Sequence, residues 1–118
     1  MPRSARLLRR EHYGEALAAG KKWTRRYFTL YVRPNGELLA RIGIITSKRV
    51  APRAVDRNRM KRLVREAFRS ARLRLQGRDI VVQLRRCPPR SSTATARAEV
   101  MRLLEECAAP TGGNGDAR

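Results

Sequence analysis

Between residues 56 and 75 the apolar side chains Met60, Leu63, Val64, Ala67, Phe68 and Ala71 recur three and four positions apart. That spacing gathers them on one stripe of an α-helix, and such a helix must bury its stripe against another layer. The opposite side of the segment constrains the chain further. At about 100° per residue, Arg57, Lys61, Arg65, Arg69 and Arg72 follow one edge of the stripe, and Arg59 and Arg62 carry the basic surface around the exposed side. Glu66 is the only acid from Arg57 to Arg69. Like charges four residues apart repel by about 0.2–0.5 kcal/mol per pair. A solvated face normally mixes signs to avoid this, whereas an uncompensated row is what a phosphate backbone rewards. The helix is expected to start near Asp56, an acceptable N-cap, and to end before Gln76-Gly77-Arg78.

The rest of the chain shares this charge. Twenty-eight Lys and Arg against ten Asp and Glu give a formal net charge of +18 over 118 residues. Folding such a chain costs self-repulsion, which a polyanionic partner relieves. Lysine occurs only at positions 21, 22, 48 and 61; arginine's planar fork favours nucleic acid over a generic anionic surface. If six to ten phosphates are neutralised, affinity should fall about 10³–10⁵-fold between 50 and 200 mM salt. A hydrophobic content of 42% suffices for one modest core and excludes wholesale disorder. Cys87 and Cys107 lie outside any Cys-x-x-Cys spacing and are expected to be reduced, and with His12 the only histidine no metal site is expected. No apolar run approaches the ~20 residues of a membrane span. The N-terminus lacks an apolar targeting core, so a cytoplasmic location is expected.

Along the chain, residues 1–8 read as a basic arm with little pattern and freedom to move. A helix is expected over 9–19, with Tyr13, Ala16 and Leu17 on one face and Gly20 just past its end. A strand over 27–32, the turn Pro34-Asn35-Gly36 and a returning strand over 38–47 follow. The basic connection 48–53 has room for a further short strand. After the 56–75 helix comes a strand over 79–85. Cys87-Pro88-Pro89 breaks the chain, and the caps at 91–95 open a final helix with Val100, Leu103, Leu104, Cys107 and Ala108 on one stripe. Residues 109–118, with three glycines, read as a disordered tail. The fold class is therefore α+β: a two-layer α/β sandwich with a roughly four-stranded sheet and about three helices, in the order α-β-β-(β)-α-β-α. Packing all helices on one face leaves the other sheet face open. Residues 1–108 form a single RNA-binding domain in this reading.

Strand alternation sends Phe28, Leu30 and Val32 to the core and Tyr27, Thr29 and Tyr31 to the other side. That second set either receives unstacked bases, each worth ~1–3 kcal/mol, or packs beneath the first helix; the pattern does not choose. Asn58, with a donor and an acceptor inside the basic run, serves either the nucleic acid or the helix start. Paired carboxylates, a histidine pair, a Gly-rich phosphate loop and a nucleophile beside a base are all missing, so hydrolysis by the protein alone is not expected.

Arg57-Asn58-Arg59-Met60-Lys61-Arg62-Leu63-Val64-Arg65-Glu66-Ala67-Phe68-Arg69 resembles the signature helix of the bacterial ribonuclease P protein component. Thr46-Ser47-Lys48-Arg49-Val50 before it, Gly77-Arg78-Asp79-Ile80-Val81-Val82 after it, and Tyr13, Gly20 and Arg26-Tyr27-Phe28-Thr29-Leu30-Tyr31 upstream keep that family's order, over roughly residues 7–108. The resemblance implies a left-handed βαβ crossover around the signature helix, against the usual right-handed rule. It implies that Lys48, Arg53, Arg57, Arg59, Arg62 and Arg69 contact the catalytic RNA. It also implies that the 5′ leader of precursor tRNA lies in a cleft between the first helix and the sheet, on Tyr13, Leu17, Phe28, Tyr31 and Arg49, with Asn58, Lys61 and Arg65 at the basic edge. Alternation points Phe28 coreward, so it ranks below Tyr31. The family's chemistry, Mg²⁺-dependent hydrolysis that removes the leader, is carried by the RNA; no catalytic or metal-binding residue and no obligate protein partner is expected in this chain. The alternative is a ribosomal or other structural RNA-binding protein, with the same charge but no effect on tRNA processing.

Overall fold

Residues 78–84 form an apolar strand at the centre of the sheet, buried on both faces. Ile80, Val82 and Leu84 face the main core, while Asp79, Val81 and Gln83 face the other way. The computed structural model describes residues 5–7, 13–19 and 21–108. Its elements are β1 (Ala5–Leu7), α1 (Tyr13–Ala19), β2 (Lys21–Thr24), β3 (Phe28–Pro34), β4 (Ala40–Ile45), α2 (Ala54–Ala71), a 3-10 turn (Arg72–Leu75), β5 (Arg78–Leu84), a second 3-10 turn (Arg90–Ser92) and α3 (Thr93–Ala108). The five strands are ordered β1-β4-β5-β3-β2. β4 runs parallel to β1 and β5, and β3 runs antiparallel to β2 and β5. The parallel neighbours β4 and β5 are joined through α2, so this is the βαβ unit to which the expected left-handed crossover refers.

The class expected from sequence is the one observed, with differences in detail. β1 and β2 add two strands at the edges. Ala5–Leu7, read as part of the arm, instead pairs with Ala40–Ile42, which an edge strand does through backbone alone. The expected extra strand in 48–53 is absent: the Ala51 N–H donates to the Ser47 carbonyl at 2.9 Å, and the Val50 N–H to Ser47 Oγ at 3.2 Å, closing a turn. α2 starts two residues before Asp56, with Arg53 at the N-cap position and no side-chain cap. Asp56 sits in the first turn, where its negative charge suits the helix dipole. The tail lies outside the described residues, as do residues 1–4 and 8–12.

α2 buries Met60, Leu63, Val64, Ala67, Phe68 and Ala71, the whole expected stripe. With Val100, Leu103, Leu104 and Cys107 of α3 they cover the sheet face that carries Phe28, Leu30, Val32, Ile42, Ile80 and Val82. Cys87 and Cys107 are unpaired thiols, and burial pushes Cys107 up to about 12. Helices are not confined to one face, however. The apolar stripe of α1 also requires burial, and Tyr13, Ala16 and Leu17 pack with Tyr31, Ile45 and Val81 on the opposite face. The sheet face expected to be free is therefore partly roofed.

Candidate nucleic-acid interface

The side of α2 that turns away from the core divides into two flanks. Arg59 and Glu66 fall on one of them, and α3 packs there: Glu66 pairs with Arg97 at 3.9 Å, and Arg59 Nη1 donates to Thr93 Oγ1 at 2.9 Å. Arg59 also bonds the Pro88 carbonyl at 2.8 Å and Asp56 at 3.2 Å. Its guanidinium is thus engaged as a strut between α2 and the loop before α3. Arg57 is half-buried and donates to the carbonyls of Ala51 and Pro52, both at 2.9 Å, so it fastens the 46–53 connection to the helix start. Arg62, Arg65 and Arg69 are exposed, as are Lys48, Arg49 and Arg53 on the connection, and none of them forms an ion pair among the described residues. Asn58 is exposed among them. Glu66, the one acid in the run, pairs with Arg97 of α3, so among the described residues it leaves Arg62, Arg65 and Arg69 without an ion pair.

On its other flank α2 reaches a cleft. Lys61 joins Tyr13, Ile44, Ile45 and Thr46 around a cleft of about 340 Å³ between α1 and the end of β4. The hydroxyl end of the Tyr13 ring packs against Gly43, and its hydroxyl accepts the Ile44 N–H at 3.2 Å. A Cβ at position 43 would stand 2.4 Å from the Tyr13 ring. Strand glycine, here Ile42-Gly43-Ile44, marks a close approach of this kind. Gly43→Ala is expected to expel the Tyr13 ring at a cost of about 1–3 kcal/mol; a drop in melting temperature without loss of Tyr13 fluorescence burial would contradict this packing.

Tyr31 lies beside the cleft with its hydroxyl donating to Gln83 Oε1 at 3.2 Å and Lys22 Nζ 5.9 Å from its ring centroid. Tyr13, Leu17 and Tyr31 are thus brought together, with Lys61 alongside. Phe28 is not among them. It is 1% exposed in the main core on the opposite face, as its alternation dictates, and is removed from the cleft set. Tyr27 precedes β3, escapes the alternation and is buried in that same core.

A second polar group anchors the roofed face. Asp79 is fully buried and receives Arg41 through two bonds of 2.7 and 2.8 Å, Asn35 at 2.9 Å and Arg33 at 3.2 Å. Burial pushes its carboxyl up, but the bonds from Arg41 and Asn35 and the charges of Arg41 and Arg33 outweigh this and hold it below its ordinary value. Arg33 reaches on to Glu15 of α1 at 3.0 Å. Among the described residues no three His, Cys, Asp or Glu side chains converge as metal ligands would. No helix among them is long and apolar enough to cross a membrane.

The ribonuclease P family model matches residues 1–108. The chain belongs to that family. A ribonuclease P protein component from Thioalkalivibrio sulfidiphilus is 42% identical over 109 residues, covering 92% of this chain and 91% of the relative. One from Ralstonia pickettii is 38% identical, covering 91% and 76%. Among solved structures, the ribonuclease P protein of Thermotoga maritima superposes with a TM-score of 0.69 at 30% identity, covering 84% of this chain and 94% of that one. The Staphylococcus aureus protein gives 0.66 at 26%, covering 85% and 88%. This ribonuclease P protein is accordingly the protein component of an endoribonuclease ribonucleoprotein of tRNA processing and a partner of that enzyme's RNA, which displaces the ribosomal alternative.

Proposed function

We propose that the outer flank of α2 docks on the catalytic RNA while the cleft beneath α1 holds the 5′ leader of precursor tRNA. The observation that carries this is the two-sidedness of one helix. Arg62, Arg65 and Arg69 are exposed and have no acidic partner among the described residues, and Lys61 of the same helix lines the cleft beside Tyr13. A single rigid element can thus offset the repulsion between two polyanions and fix their relative position. Lys48, Arg49, Arg53 and Asn58 extend the contact at the start of the helix. Tyr13, Leu17 and Tyr31 supply apolar and aromatic surface for unstacked bases.

In this reading the RNA performs Mg²⁺-dependent hydrolysis that removes the leader and leaves the mature 5′ end. The protein contributes binding energy, which appears in substrate affinity and in the Mg²⁺ required. The test is purified protein, with and without its cognate RNA, on precursor tRNA. Stimulation of the RNA at low Mg²⁺ is expected; cleavage by the protein alone would contradict the division of labour. Tyr31→Ala should reduce affinity for leader-bearing substrate by about five- to a hundredfold and leave mature tRNA binding unchanged. Equal loss for both would remove the leader from this cleft.

A further inference from the structure

The strand register arranges the α1 side of the sheet in three rungs. Arg41, Asp79 and Arg33 form the first; Gly43, Val81, Tyr31 and Lys22 the second; Ile45, Gln83, Thr29 and Thr24 the third. α1 meets the first through Glu15 and Arg33, and the second through Tyr13 over Gly43 and Ala16 beside Val81. The third rung carries no ionised side chain. Among the described residues the ammonium groups of Lys22, beside Tyr31, and Lys61, in the cleft, border it, and the Arg25 guanidinium sits on the Thr24 carbonyl at its far end. A strand of RNA crossing here has its phosphates drawn to the rims, and the neutral middle is left for the uncharged part of the nucleotide, the base.

Within that middle Gln83 is partly exposed and held. The Tyr31 hydroxyl donates to its Oε1, while its Nε2 makes no hydrogen bond among the described residues. A glutamine amide has two donors on nitrogen and two lone pairs on oxygen, so one acceptor site and both donors stay open, side by side and fixed in direction. Adjacent donor and acceptor are what a base edge presents, and a phosphate, an acceptor only, cannot use both.

We propose that Gln83 is a specificity-determining residue that reads the edge of one leader base, with Tyr31 both stacking the nucleotide and aiming the amide. This rests on the leader's placement in the cleft. A bidentate amide contact discriminates against the wrong base by about tenfold.

The test uses holoenzyme assembled with the cognate RNA and precursor tRNAs carrying each base in turn at each leader position. The native protein should discriminate about tenfold at one position. Gln83→Leu should reduce that ratio to within about twofold there and leave the other positions as they were. Tyr31→Phe, which keeps the ring and removes the hydroxyl that aims the amide, should weaken discrimination at the same position. An unchanged position profile in Gln83→Leu, or an equal loss for all four bases, overturns the proposal even where Tyr31→Ala still lowers leader-dependent affinity. If neither Gln83→Leu nor Tyr31→Ala alters leader-dependent affinity, the leader's placement fails as well.

Discussion

Replacing Arg62, Arg65 and Arg69 together by glutamine should lower the slope of log affinity against log salt by about two to three units, since each phosphate contact contributes about 0.7–0.9. Between 50 and 200 mM salt, the native protein should lose about 20- to 40-fold more affinity for its RNA than the variant does. Anisotropy titrations across that range measure it directly. Stability should hardly change, because all three side chains are exposed and have no ion pair among the described residues, and surface changes of this kind stay within about 0.5 kcal/mol. The sign is even favourable, as like charges at i and i+4 are removed. Arg59→Gln should do the reverse. It strips the Pro88 carbonyl, Thr93 and Asp56 of their shared donor and should lower the melting temperature while leaving the salt slope alone. An unchanged slope in the triple variant would mean that α2 does not meet RNA with its outer flank.

The contrast between Arg59 and Arg62 also marks where sequence reading stops. The stripe of α2 and the apolar run of β5 are local patterns, and both appear in the structure where the residues placed them. Which flank of α2 is covered by α3 is a tertiary fact. The periodicity put Arg59 and Arg62 on one continuous basic surface, and only the packing of α3 against Glu66 and Arg59 separates them. β2 was missed for a related reason: Lys21-Lys22-Trp23-Thr24 is short, buries a single side chain and pairs at an edge, so no alternation develops. In the cleft, Tyr31 and Lys61 were legible from alternation and charge, whereas Tyr13 and Leu17 were placed there by the family resemblance. Gln83 was not legible, because its significance depends on a bond across strands to a residue 52 positions away. Phe28 was assigned to the cleft by resemblance and to the core by alternation, and the alternation prevailed.

Asp79→Asn should be the most destabilising single change of those considered, at about 3–5 kcal/mol, the usual cost of removing one partner from a buried ion pair. Asn35 could still donate to an amide oxygen, but Arg41 and Arg33, each with a side chain only 22% exposed, would be left facing one another without a carboxylate between them. The loss extends to the cleft, since Arg33 also holds Glu15 of α1. Leader-dependent affinity should therefore fall before the protein unfolds. The pH dependence follows from the direction of the shift. The folded-state value of Asp79 lies below that of the unfolded chain, so its contribution is complete above the unfolded aspartate value of about 3.9 and disappears as pH falls through the folded value. Native protein should lose stability steeply in that acid window, and Asp79→Asn should lose much less there, the two melting curves converging as the carboxyl is protonated. If the variant keeps the native acid sensitivity, some other carboxylate governs acid unfolding and the buried Asp79 cluster is not what ties α1 to the sheet.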